Sequence, residues 1–167
     1  VLDKTKTAMG GRCLRSYIEQ PLIEKDAINA RLDAIEELNK DTVSRDELRE
    51  YLNPIYDLER LLGRISYKTA NPRDLIAFAS SLRMLPHIKT VLGGFEKQLL
   101  NQINDEIDDL QDIYHLIDDS IMEEPPILVR EGGIIKDGFN ELIDNLRRAK
   151  TEGKSWLAKL EEEDRQR

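Results

Sequence analysis

Residues 123–138 read EEPPILVREGGIIKDG, and no other stretch of the chain interrupts a helical pattern for so long. Pro125 and Pro126 lack the backbone donor that a helix interior uses, and each restricts the residue before it. Ile127, Leu128 and Val129 form a short β-prone run, while Gly132, Gly133 and Gly138 suit tight turns. Short extended segments are therefore expected near 127–129 and 134–136. Amphipathic helical patterns lie on both sides. The expected fold is all-α, with roughly seven to nine helices, divided into a helical core at 1–122, the break at 123–138, and a long projecting helix at 139–167.

After the break, one helix should run from Phe139 to the chain end, about 29 residues or on the order of 43 Å. Ile143, Leu146, Gly153, Trp156, Leu157 and Leu160 mark its buried side, and the polar tail beyond Leu160 should stand clear of the core. Before the break, Leu100, Ile103, Ile107, Leu110, Tyr114, Ile117 and Ile121 repeat at alternating spacings of three and four. That is the seam of one continuous helix packed along another. Its outer face carries Asp105, Asp108, Asp109, Asp112, Asp118 and Asp119.

Further upstream, Asn71-Pro72 is a strong helix start, followed by Leu75, Ala79, Leu82 and Leu85. Pro86 forces a break or a fresh start, and Gly93-Gly94 makes a turn. Ser44 and Glu47 have capping-box spacing, opening a helix through Leu48 and Leu52. Pro54 occupies a helix-start position before Ile55, Leu58, Leu61, Leu62 and Ile65. A helix at about 25–40 carries the stripe Ile28, Leu32, Ile35 and Leu38. The first helix, capped by Thr5 or Thr7 and stopped by Pro21, places Met9, Cys13, Leu14, Tyr17 and Ile18 on one side. Gly10 and Gly11 within it suggest close packing against another backbone.

Composition narrows the function. The net charge is −8, from 33 acids against 25 bases, which argues against a module devoted to gripping phosphates. One cysteine, Cys13, rules out an internal disulfide framework and fits a reducing cytoplasm. No apolar run reaches membrane-spanning length. A first residue other than methionine, and a helical pattern still running at the end, suggest an excised fragment.

No catalytic, metal or cofactor constellation emerges. Gly153-Lys154-Ser155 resembles the end of a phosphate-binding loop, but Arg148 stands where that loop needs its first glycine, and no strand precedes it. Gly133 and Gly138 have the outer spacing of the same loop, followed by Phe139 and Asn140 instead of Lys and Ser or Thr. The Asp run lacks the alternation and central glycine of a calcium loop, and reads as a solvated face. His87 and His115 are each without a second ligand at zinc spacing, and Cys13 reads as a packed residue. Lys4, Lys6, Arg12 and Arg15 form the densest positive patch, suited to weak phosphate contact or to an acidic neighbouring surface.

Several blocks then resemble, in family order, the core and lever domain of bacterial MutS-type DNA mismatch-repair proteins. They are VLDKTKTAMGGRCLRSYIEQPL at 1–22, residues 31–38, YDLERLLGRIS at 56–66, NPRDL at 71–75, and PPILVREGGIIKDGFNELIDNLR at 125–147. Cys13 and Tyr17 replace the usual Leu and Trp, and Leu142 stands where a charged residue is common. The resemblance implies a non-catalytic part of a larger ATPase. In that family, mismatches are read by a domain with a Phe-x-Glu motif, and ATP and magnesium are held by a P-loop domain; neither motif is in this chain. A clamp that touches DNA is inserted about where this chain stops. The implied partners are the clamp, connector and ATPase domains, mismatched duplex DNA through the parent, and a second copy in a homodimer. A free-standing helical adapter for a protein partner is the alternative.

Overall fold

Capping chemistry sets most of the helix boundaries. The structure, a computed structural model, describes residues 3–165, and for 156–161 and 163–165 the backbone alone. Helix α1 spans Ala8–Glu19, with the Thr7 hydroxyl accepting from the Gly10 amide at 2.9 Å. Helix α2 (Lys25–Lys40) ends at Asp41, which also caps α3 (Thr42–Leu52). The Asp41 carboxylate accepts from the Ser44 amide at 3.0 Å and its hydroxyl at 2.7 Å. The Ser44–Glu47 box is therefore not formed. An ionised acceptor three residues earlier starts the helix sooner, and Glu47 accepts instead from the Tyr51 hydroxyl at 3.0 Å.

Helix α4 (Leu58–Ser66) starts at Asp57 rather than at Pro54, which lies in the preceding turn. Pro54 offers only a compatible φ, whereas the Asp57 side chain supplies an acceptor for the Arg60 amide at 3.4 Å. Helix α5 (Pro72–Leu82) begins as the sequence predicts: Asn71 and Asp74 each accept the other's amide at 3.0 Å, with Pro72 first in the helix. Helix α6 (Leu85–Leu92) carries Pro86 in its first turn and ends at Gly93-Gly94. Helices α7 (Gln98–Glu106), α8 (Gln111–Ser120) and α9 (Glu141–Arg165) follow, with a 3-10 turn at Val129–Glu131. The fold is all-α, and the described residues contain no strand.

Three expectations about length and extension need correction. The seam from Leu100 to Ile121 is not one helix, because it breaks at 107–110 with Leu110 in the left-handed region at φ 48°. Residues 127–129 bend into the 3-10 turn, while Ile135 makes an isolated antiparallel bridge with Ile121. Helix α9 begins at Glu141 because the Asn140 side chain accepts from the Leu142 and Ile143 amides at 3.1 and 3.2 Å. Its 25 residues span roughly 37 Å.

The core is two apolar clusters between which the chain alternates. The first unites α2, α3, α6 and α7 through Ala34, Leu48, Ile88, Leu92, Phe95 and Leu100. The second unites α4, α5 and α8 through Leu61, Phe78, Ala79, Leu82, Ile117 and Ile121. Leu85 packs against both. Polar groups stitch the packing. Ser81, fully buried, donates to the Ala77 carbonyl at 2.9 Å and accepts from the Tyr56 amide at 3.0 Å. Glu37 on α2 accepts from the Glu96 and Lys97 amides at 2.8 and 2.9 Å, capping α7 from another helix.

Burial departs from the apolar stripes at the two ends of the chain. On α2 the core takes Ala34, whose small side chain admits close neighbours, and Leu38, while Ile28, Leu32 and Ile35 are exposed. On α1 no residue is buried, and Cys13, Tyr17 and Ile18 are exposed rather than packed. The approach at its glycines comes from the preceding turn, not from another backbone. A Cβ on Gly10 would lie 3.1 Å from the Thr7 hydroxyl oxygen, and one on Gly11 3.2 Å from an Asp3 carboxylate oxygen. On α9, Ile143 is half-buried, but Leu146 is 62% exposed and a Cβ on Gly153 would touch nothing. Trp156, Leu157 and Leu160 lie outside the described side chains.

Candidate functional site

The feature with most capacity to act is the junction where α9 leaves the core. Ile121, at the end of α8, is buried in the second cluster, and Ile134 packs against the same cluster. Around the Ile121–Ile135 bridge, the Met122 amide donates to the Ile134 carbonyl and the Lys136 amide to the Ser120 carbonyl, both at 2.8 Å. The Lys136 ammonium also donates to the Asp118 carbonyl. From α5, Arg73 Nε donates to the Pro125 carbonyl at 2.9 Å, and Pro125 itself is fully buried. The break is therefore fastened to both α5 and α8.

Arg147 fastens it to α9. Its guanidinium donates to the Ile135 carbonyl at 2.8 Å, pairs with Asp137, and lies 3.8 Å from Asp144. Asp144 in turn accepts from the Gly138 amide at 3.0 Å. Gly138 has φ 85°, a conformation that a side chain would strain. A planar fork bonded to one strand-like segment and two carboxylates fixes orientation as well as distance. The sequence marks Asn140 as a cap, but nothing in it singles out Arg147, whose partners belong to the loop.

The basic patch on α1 divides. Arg12 forms a bidentate pair with Asp57, both contacts 2.7 Å, and also reaches Glu59. Arg15 pairs with Glu19 one turn on, at 2.8 Å. Lys4 and Lys6 are exposed. Arg31 of α2 lies 3.6 Å above the Tyr17 ring, so α1 docks through a guanidinium at each end instead of an apolar core.

The Arg12 guanidinium, helped by the Arg60 amide, holds the Asp57 carboxyl down at about 2 against an ordinary 3.8. A depressed carboxylate contributes its stabilisation above pH 3.8 and loses it as pH falls through about 2. Protection of the α1 amides, corrected for intrinsic exchange, should therefore hold at neutral pH and collapse across that acid window. In Arg12→Ala it should already be low at pH 7. Equal protection in both proteins at pH 7 would show that α1 is held by something else.

The other candidates stay apart. Gly153, Lys154 and Ser155 lie within α9. Among the described residues, no group of three or more His, Cys, Asp or Glu could hold a metal ion. His87 stacks on Tyr51 with ring centroids 5.1 Å apart, and His115 tilts against Tyr114. Among the described residues no helix is long and apolar enough to cross a membrane.

Comparison with known proteins gives the junction its setting. A family profile described as MutS domain III matches residues 1–166. The chain is 66% identical over 166 residues to the DNA mismatch repair protein MutS of Lachnoclostridium phytofermentans, covering 99% of this chain and 18% of that protein. It is 51% identical over 167 residues to the MutS of Caldanaerobacter subterraneus subsp. tengcongensis, covering 100% of this chain and 19% of the relative. It is 48% identical over 167 residues to that of Ruminiclostridium cellulolyticum, again covering 100% and 19%. The chain thus spans less than a fifth of the length of these curated relatives. It belongs to the MutS domain III family.

Proposed function

We propose that this chain is the core and lever of a mismatch-repair ATPase, carrying displacement between a clamp on DNA and a distant ATPase domain. The observation that carries this reading is the double fastening at the junction. The Ile121–Ile135 bridge ties the break to the second cluster, and Arg147 ties it to α9. A helix joined to a core in this way moves with it as a unit, which a flexible linker would not do.

On this reading the chain has no chemistry of its own, and ATP with magnesium is held elsewhere in a cytoplasmic parent that works as a homodimer. Mismatched duplex is met through the clamp. Lys4 and Lys6, with Arg12 and Arg15 engaged by Asp57, Glu59 and Glu19, face an acidic surface of a neighbouring domain in preference to DNA.

The test is Arg147→Met in the full-length protein, which keeps the stem and removes the fork. Substitutions along a coupling route shift the coupling by about 0.5–2 kcal/mol, so stimulation of ATP turnover by mismatched DNA should fall roughly 2- to 30-fold. The turnover rate without DNA should stay near its wild-type value. Undiminished stimulation in this variant would remove the junction from the route.

A further inference from the structure

The seam residues Leu100, Ile103, Ile107, Leu110, Tyr114, Ile117 and Ile121 keep helical spacing straight through a break that the backbone makes at 107–110. Sequence and structure disagree here in a specific way. Helix α8 starts with no side-chain cap, at a leucine held at φ 48° and ψ 41°. Leucine is poorly suited to that region, which glycine or asparagine tolerates far better. The stretch is written as a continuous helix and built as two.

What holds the bend is polar and borrowed. In a continuous helix the Ile107 carbonyl would accept from the Gln111 amide, four residues on; here the Lys89 ammonium of α6 takes it. The Leu110 amide would donate to Glu106; here it donates to the Asp108 side chain at 3.0 Å. Ile107 packs against the first cluster and Leu110 against the second, so the break sits on the boundary between them. The other helical crossing of that boundary, from α5 into α6, bends at Pro86, one turn before Lys89.

We propose that 107–110 is a hinge with two states: the bent one held by Lys89 and Asp108, and a straight one in which α7 and α8 fuse. Fusion reorients the cluster of α4, α5 and α8, and with it the junction of α9, against the cluster of α2, α3, α6 and α7. The inference deepens the coupling reading and rests on it for its purpose, although the hinge itself can be seen without it.

Nitroxide labels at the exposed positions Gln102 and Asp119, in a full-length protein whose other cysteines, Cys13 included, are replaced, would report the bend by pulsed electron resonance. A fused helix puts those backbones about 25 Å apart at 1.5 Å per residue. The expected result is a shorter main distance with a minor longer one. The longer fraction should rise several-fold in Lys89→Met and vanish in Leu110→Gly, where glycine accepts the bent backbone. One distance, the same in wild type and both variants, would overturn the hinge. The distances are read without nucleotide or DNA, so they bear on the hinge alone, whereas the Arg147 experiment bears on the coupling.

Discussion

Replacing Leu82 with alanine should destabilise the chain by about 2–5 kcal/mol, the cost of removing a large buried aliphatic side chain and leaving a cavity. Leu82 is 1% exposed and packs in the second cluster with Leu61, Phe78, Ala79, Ile117 and Ile121. The three carbons lost contribute about 0.8 kcal/mol each in transfer from water, and incomplete collapse of the site adds the rest. Collapse is limited here. The neighbouring Ser81 is fixed by hydrogen bonds to Ala77 and Tyr56, and Ala79 has little side chain to move inward. Domains of this kind are stable by about 5–15 kcal/mol, so the loss would remove a substantial part of the total. Urea unfolding should show a lower midpoint with an unchanged slope. Leu142→Ala, on the exposed face of α9, should shift stability by no more than about 0.5 kcal/mol. A Leu82→Ala cost below that of Leu142→Ala would contradict the assignment of the second cluster as the core beneath the junction.

The second large effect concerns α9. A proline inside a helix removes a hydrogen bond and collides with the preceding turn, at a cost of about 3 kcal/mol or more, and it kinks the axis. Lys159 lies within α9, far from the Arg147 anchor and beyond its first turns. Lys159→Pro would therefore leave the junction and both clusters intact while interrupting a rod of roughly 37 Å. Lys159→Ala removes the same ammonium and keeps the helix, because alanine has the best helix propensity. The pair separates stiffness from surface chemistry.

How much of this could be read from residues alone depended on how local the deciding contacts are. Asn71 and Asp74 sit three apart and complete each other's bonds, so the start of α5 was legible. The Pro/Gly-rich break was legible for the same reason, since proline and glycine act on their own backbone. Periodicity tells which face is apolar but not what covers it. Hence Ile28, Leu32 and Ile35 were expected to pack and are exposed, while Ala34, too small to mark a stripe, is in the core. Periodicity is equally blind to a bend that keeps side-chain phase. The break at 107–110 is stabilised by Lys89, 18 residues away from Ile107, and no local window contains both. The junction was half legible. Asn140 announces the start of α9, but Arg147 finds its partners in Ile135 and Asp137, which only the folded loop presents. The family blocks carried the assignment where residue chemistry offered no reaction.

Transmission of displacement through α9 is the central claim, and one ratio tests it most directly: ATP turnover with mismatched duplex to turnover without it, in full-length Lys159→Pro and Lys159→Ala. Lys159→Ala is expected to keep the wild-type ratio. Lys159→Pro is expected to lose most of the stimulation while its rate without DNA persists. A proline variant with a demonstrated kink and an undiminished ratio would show that the signal does not travel along this helix.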